Sequence, residues 1–379
     1  MSTSDVQVEV WDKSRTERVW VGDPIRLVAT PRHNQQPTGS ITLPIGSGHF
    51  ARLEAHGARV VVRHRGEHLM SGPVRQMRVE GARPERAATF EIEDDWRLLT
   101  RLLAWPVPAQ PITNQGGAEH HVLTGPAETV VKTLLGAAIT RTGQPITVAP
   151  SLGRGSTITV RARMVPPADV LLPLIDQAGI GVTVRQVGSQ MVLDVYEPTT
   201  WPGVLSERAR TITELSWSRE APTATRVVLG ADGDGTARTF RRLIDSAREA
   251  EWGDVVEVFV DARDLKHTEP GFEAEATARM QEALAAGAPL TGLTVSLAEA
   301  GRFVYGGANG VRVGDRVPVE LIPGAPPVVD VLRAATLTWD RTGVRVTPQI
   351  GERRDDPSDA TARAIKAMHR GLKALQARR

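Results

Sequence analysis

Val6-Gln7-Val8-Glu9-Val10 alternates apolar and polar residues at a period of two, the spacing of a strand with one wet and one buried face. The pattern recurs through the first hundred residues. Val19-Trp20-Val21 precedes the turn Gly22-Asp23-Pro24, and residues 25–29 resume a strand. Residues 32–39 form a polar Pro/Gly loop with too few apolar side chains to pack. Further strands are predicted over 57–63, 69–70, 74–80 and 87–92, with a turn near Gly66. Strands this short and this closely punctuated by turns favour a small closed barrel over an open sheet.

The chain then changes period. Asp94-Asp95-Trp96-Arg97-Leu98-Leu99 opens a short helix whose acids sit at the end favourable for negative charge, and Trp105-Pro106 stops it. Residues 109–119 read as a loop. Gly125-Pro126-Ala127-Glu128 starts a second helix running to about residue 140, with proline in the first turn, where its missing N–H is harmless. A strand over 156–163, a helix over 167–178 and a hairpin around Gly188-Ser189 complete an α/β unit, and residues 198–203 link it to a second β region. Strands return there at 212–218, 225–229, 255–260, 293–297, 317–321, 328–339 and 344–347, interrupted by an Ala- and Glu-rich helix over 272–287. The predicted fold class is therefore α+β and mainly β. Its expected domains are a β-barrel over 1–105, an α/β domain over 106–202, a second β-barrel over 203–350 with a helical insertion around 265–288, and a linker with a basic helix over 351–379.

Composition narrows the functions. A chain of 379 residues suits about two to four compact modules. No apolar run approaches the roughly 20 residues that span a bilayer, so stable membrane insertion is not predicted, and the polar first fifteen residues predict no secretory leader. The absence of cysteine excludes disulfides, thiolate catalysis and Cys-based zinc sites. A formal net charge of +2 gives the chain as a whole no electrostatic pull on nucleic acid.

Candidate chemistry is sparse. His64-Arg65-Gly66-Glu67-His68 fits the inverted zincin pattern H-x-x-E-H, making His64, Glu67 and His68 metal-ligand candidates. That chemistry needs a helix. Here the motif follows Val60-Val61-Val62 and contains Gly66, so a hairpin turn is predicted. On a strand the two histidines would stand about 13 Å apart. Asp232-Gly233-Asp234-Gly235 resembles a calcium loop, but Ala237 and Leu243 occupy the positions where Gly and Glu are required. His120-His121 lacks identifiable distant partners, and Asp94-Asp95 is explained by helix capping. No phosphate-binding loop or nucleophile elbow is present. No cofactor and no catalytic residue is predicted. The eight tryptophans, spread over every module, are expected in cores or subunit contacts rather than on a glycan-binding platform.

After Asp355-Asp356-Pro357-Ser358-Asp359, a helix start, Ile365, Met368, Leu372 and Leu375 recur at spacings of three, four and three. This is a narrow coiled-coil-like seam, flanked by Arg363, Lys366, Arg370 and Lys373 with no acid nearby. Nucleic acid, an anionic membrane or a partner helix would each suit such a segment. The narrow seam favours helix packing, so these eight residues are the partner-binding candidates.

Several stretches together resemble the tail-hub, or minor tail, proteins of actinobacterial siphophages. They are Asp94-Asp95-Trp96-Arg97-Leu98-Leu99 with Trp105-Pro106; Leu123-Thr124-Gly125-Pro126-Ala127-Glu128-Thr129-Val130; Trp252-Gly253 through Glu257-Val258-Phe259-Val260-Asp261-Ala262-Arg263-Asp264; and Tyr305-Gly306-Gly307 with Val313-Gly314-Asp315-Arg316-Val317. That family is similar to the trimeric hubs of contractile tails. The resemblance implies a homotrimer with two β-barrels per subunit, joining a sixfold tail tube to a threefold tip around the DNA-ejection channel. Its implied partners are itself, a tube or distal-tail ring, the tape-measure protein and a fibre or receptor-binding protein, with DNA only in transit. The implied location is the virion tail tip, and no catalytic residue is carried over. Alternatives are the hub of a tail-derived bacterial injection system, a zinc peptidase and a wall-binding module.

Overall fold

The computed structural model describes residues 5–81, 86–206, 212–297, 303–322 and 324–351. The expected basic helix, with its seam and its eight partner-binding candidates, lies outside the described residues.

The N-terminal region forms strands β1 (Val6–Trp11), β2 (Arg18–Trp20), β3 (Arg26–Thr30) and β4 (Thr38–Pro44), helix α1 (Phe50–Glu54), then β5 (Arg59–His64), β6 (Glu67–Glu80) and β7 (Ala87–Glu93). The alternation read from the sequence holds in part: in β1 Val6, Val8 and Val10 are buried and Gln7 is exposed, but Glu9, expected on the wet face, is buried and accepts from Trp11 Nε1 at 2.8 Å. A short turn of 3-10 helix and α2 (Leu98–Arg101) lead into the α/β unit. This unit comprises β8 (His121–Pro126), α3 (Ala127–Thr142), β9 (Ile146–Val148), β10 (Thr157–Ala162), α4 (Pro167–Ile175), β11 (Gly181–Val187) and β12 (Gln190–Tyr196). The helix predicted from Gly125 begins two residues later, because residues 121–126 pair with β10 as a strand. The interruption of the last β region is itself α/β. Between β13 (Ile212–Glu220) and β17 (Leu290–Leu297) stand β14 (Arg226–Gly230), β15 (Phe240–Ile244), α5 (Ser246–Trp252), β16 (Glu257–Asp261) and α6 (Phe272–Ala286). The chain closes with β18 (Arg316–Val319), β19 (Val328–Asp340) and β20 (Gly343–Ile350).

Among the described residues, the strands of both ends of the chain form one sheet in the order β13-β17-β20-β19-β3-β4-β7-β6-β5-β1-β2, with β18 on β19. The junction is β19 against β3, from Leu337 opposite Ala29 to Asp340 opposite Arg26. The fold is mainly β, as expected. The two β-barrels expected from strand density imply closed sheets, whereas this hydrogen-bonded path is continuous across both β regions and open at β13 and β2. Periodicity reports which face of a strand is buried; it carries nothing about which strand lies next to it.

Each β region is organised by one long strand that changes partners at a bulge. β6 pairs with β5 up to Pro73, shifts register between Val74 and Gln76, and continues along β7. β19 pairs with β18 from Val328 to Val331, shifts between Leu332 and Ala334, and then runs between β20 and β3. A bulge adds local twist and bends the strand, so one strand can serve two directions of the sheet.

Three apolar cores are present among the described residues. The first mixes both ends of the chain, with Leu27, Ile41 and Phe90 from one and Phe303, Leu332 and Leu337 from the other. The second lies inside the α/β unit around Leu134, Leu135 and Leu171. The third fills the insertion between β14 and α6, through Val227, Leu229 and Met280.

Candidate functional site

The α/β unit is held to the sheet by two polar clamps. In the first, Arg59 of β5 donates from Nε to Gln186 Oε1 at 2.8 Å and from Nη2 to Asp95 Oδ2. Asp95 also accepts from Arg97 Nη1 (2.7 Å) and Ser71 Oγ (3.0 Å), while the Gln186 backbone N–H donates to Ser71 Oγ at 2.9 Å. Arg59, Ser71, Asp95 and Gln186 are all buried. Gly72 permits this approach: a Cβ there would fall 1.8 Å from the Glu93 carbonyl oxygen.

The second clamp comes from the loop predicted to be too polar to pack. His33 and Asn34 are buried, and they pack through hydrogen bonds instead of apolar contact. Asn34, at φ +50°, donates to Asp176 Oδ1 and to the Ile180 carbonyl (2.9 Å), and accepts from the Val182 N–H at 3.1 Å. His33 Nδ1 hydrogen-bonds the Tyr196 hydroxyl at 2.7 Å, and Arg333 Nη1 donates to Asp176 Oδ2 at 2.6 Å. Burial opposes ionisation of the Asp176 carboxyl, but His33 Nε2 at 3.2 Å from Oδ1, then Arg333 and Asn34, hold it below the usual range. Tyr196 is wedged between two glycines: Cβ atoms at Gly181 and Gly314 would lie 2.2 and 2.5 Å from its ring. Burial, then the Asp176 charge, push its phenol up.

A cavity of about 280 Å³ lies along this seam, with Glu67, His68, Asp94, Arg185, Tyr196 and Asp315 among its walls. Asp94 is the expected helix cap, its Oδ1 accepting the Trp96 N–H at 2.8 Å. Its second oxygen accepts the Ser71 N–H at 3.0 Å. Burial, then the neighbouring Asp95 carboxylate, raise its pKa from 3.8 to about 8.

The structure separates the metal-ligand candidates. His64 and Glu67 are opposite one another across the β5–β6 hairpin, and His68 is opposite Arg63. Adjacent strand residues point to opposite faces, so His68 faces away from His64 and Glu67. His64 is buried and stacks on Tyr305, with ring centroids 6.3 Å apart and planes at 13°. Glu67 pairs with Arg312 at 2.7 Å, and Arg65 donates to the Tyr305 carbonyl at 3.2 Å. The motif thus ties the first β region to the loop before β18. His68 is half-buried near Arg63 and Arg185, and desolvation of its ring, then those charges, depress its pKa to about 3. No group of three or more His, Asp or Glu side chains among the described residues is placed to hold a metal ion.

Two surfaces face outward from this frame. On the α/β unit, buried Glu128 accepts from Lys132 Nζ (2.7 Å) and Arg154 Nη2 (2.7 Å) and from the backbone N–H groups of Leu152 (3.0 Å) and Arg154 (2.9 Å). Arg154 first, then Lys132, hold its carboxyl well below the usual range. The pinned loop displays Leu152 at 74% exposure. On the insertion, one face of the β14–β16 sheet packs on α6; the other leaves Phe240 and Phe259 more than half exposed. Among the tryptophans, Trp11 and Trp96 are buried, Trp201 packs edge-on against Phe303, and Trp20 and Trp217 are about half exposed.

The profile of the family described as Siphovirus ReqiPepy6 Gp37-like protein matches residues 7–352. The chain belongs to this family. By that description it is a siphovirus protein. No curated protein matches it. Solved structures give the fold. The 43 kDa tail protein of prophage MuSo2 from Shewanella oneidensis is 12% identical, with 92% of this chain and 98% of that one covered at a TM-score of 0.57. A tail protein from Neisseria meningitidis MC58 is 13% identical, covering 92% and 96% at 0.53. Prophage tail protein gp18 from Listeria monocytogenes EGD-e is 11% identical, covering 96% and 99% at 0.51. No helix among the described residues is long and apolar enough to cross a membrane.

Proposed function

We propose that this chain is a virion tail protein and the hub of the tail tip: a homotrimeric ring that joins the sixfold tube to a threefold distal tip and surrounds the path of the ejected DNA. The observation that carries the reading is the internal likeness of its two β regions. Each is organised by one long strand that changes partners at a bulge, β6 in one and β19 in the other. Three copies would present six related β surfaces, the number a hexameric ring needs, while the molecule as a whole keeps threefold symmetry.

The polar clamps support a rigid role. Arg59–Asp95 and Asn34–Asp176 fix the α/β unit against the sheet, so load at one surface is transmitted to the other. The partners proposed are a tube or distal-tail ring, the tape-measure protein and a fibre or receptor-binding protein. The seam of Ile365, Met368, Leu372 and Leu375 is proposed to pack on one of them. No catalytic role is proposed for it.

Negative-stain electron microscopy of the purified chain with class averaging tests this. Threefold rings with a central opening are expected. Particles of another symmetry, or compact monomers at micromolar concentration, would overturn the ring.

A further inference from the structure

The insertion carries a small sheet, in the order β15-β14-β16, with no further strand on either edge among the described residues. Unpaired edges are templates for another strand, and proteins commonly protect them with proline, bulges or charge. Here β15 and β16 contain no proline and pair with β14 without register shifts. They do carry charge, of opposite sign. Arg241 and Arg242 lie on β15, while Glu257 and Asp261 lie on β16.

Residues facing away from α6 are Phe240, Arg242 and Ile244 on β15, and Glu257 and Phe259 on β16 with Val255 just before it. Their exposure is 52% for Phe240, 37% for Ile244, 51% for Val255 and 54% for Phe259. Directly opposed residues of an antiparallel pair share a face. One antiparallel register between β15 of one copy and β16 of another matches every outward position. It sets Phe240 against Phe259, Arg242 against Glu257 and Ile244 against Val255. It also brings Arg238, already bonded to Asp261 of its own chain, beside the neighbouring copy's Asp261.

We infer that β15 of one subunit pairs with β16 of the next, so that the insertion sheets join head to tail around the hub. The inference rests on the ring reading above and names the contact that would build it. The charge pattern selects this geometry. Two β15 edges would oppose arginines and two β16 edges would oppose carboxylates, whereas the mixed pairing alone is complementary. A mixed contact is heterologous and closes into a ring when the rotation permits.

The 379-residue chain contains no cysteine, so cross-linking is unambiguous. The double variant Phe240→Cys/Phe259→Cys should give dimers and trimers under mild oxidation, ending at a covalent trimer. Both side chains are exposed, so the fold should tolerate the changes. Within one chain the two sites are separated by the whole width of β14, about 9–10 Å, beyond the reach of a disulfide. Each single variant should give little product. In a cysteine-free background, Arg242→Glu should weaken self-association about tenfold, and Arg242→Glu/Glu257→Arg should restore it. Threefold rings without cross-links, or single variants that cross-link as well as the double, would overturn this contact and leave the ring reading standing. Cross-linked species that extend past three without closing would support the contact and sink the trimeric ring. Monomers with no cross-link would overturn both.

Discussion

Replacing Arg59 should unseat the α/β unit from the sheet. Arg59 and Asp95 are buried, with side-chain exposures of 6% and 0%. Arg59→Met removes the donor to Asp95 and to Gln186. Losing one partner of a buried pair costs about 3–5 kcal/mol. Asp95 keeps Arg97 at 2.7 Å and Ser71 at 3.0 Å, which places the expected loss near the low end. Gln186 Oε1 loses the Arg59 donor, and an unsatisfied buried acceptor costs about 1–3 kcal/mol. These effects share one network and do not add, so the expectation is about 3–4 kcal/mol. Asp95→Leu alone should cost at least as much, because it strands the guanidinium. Arg59→Met/Asp95→Leu should recover part of the loss, since neither member of the buried pair is then left without the other, while Arg97 loses Asp95 but keeps Glu93 at 3.8 Å. The assay is urea unfolding followed by circular dichroism, with hydrogen exchange at the Gln186 amide reporting the seam. A double variant as unstable as the sum of the two singles would show that the pair is not coupled and refute the reasoning. A wild-type-like Arg59→Met would do so more simply.

Asp94 has a folded-state pKa of about 8 against an ordinary 3.8, so folding takes up a proton. Its contribution is full below about pH 4 and declines as pH rises towards 8; unfolding titrations of Asp94→Asn should lack this slope, although asparagine offers one acceptor to two N–H donors and lowers stability throughout. Glu128 has the opposite sign. Its depressed pKa stabilises above about pH 4.5 and the benefit fades on acidification, so Glu128→Ala should lose about 3 kcal/mol at neutral pH and speed amide exchange at Leu152 and Arg154. Deleting residues 358–379 should leave the melting temperature of the described core within about 1 °C of wild type, a change of no more than a few tenths of a kcal/mol, but reduce incorporation into tails; unchanged incorporation would refute a packing role for the seam. Purified chain should bind less than stoichiometric zinc, with no change in His64→Ala; metal lost in that variant would revive the peptidase reading.

Much of the local structure was legible because burial imposes a period. Val6, Val8 and Val10 announced β1, and Gly188 with Ser189 announced the β11–β12 hairpin. The turn at Gly66 was also legible, and it argued against a zinc helix. The clamps were not. Asn34 and His33 looked like solvent polarity, because hydrogen-bond satisfaction depends on partners about 140 to 160 residues away, such as Asp176 and Tyr196. The strand at 121–126 was hidden as well, since its pattern is half exposed and its partner β10 lies beyond a helix. A signal for Gly314 existed in the Val313-Gly314-Asp315 stretch, but its reason, the ring of Tyr196, is tertiary.

By itself the sequence determined a mainly β chain with an α/β unit at its centre, without thiol chemistry and without a spanning helix in its apolar pattern. Those properties follow from each residue's own hydropathy, backbone preference and reactivity, and need no knowledge of neighbours. Tertiary structure alone decided that both ends of the chain share one sheet through β19 and β3, and that His64 and His68 point apart. It also decided that the insertion leaves two oppositely charged edges. Strand order, facing and edge exposure are relations between distant segments, fixed when buried N–H and C=O groups find partners across the chain.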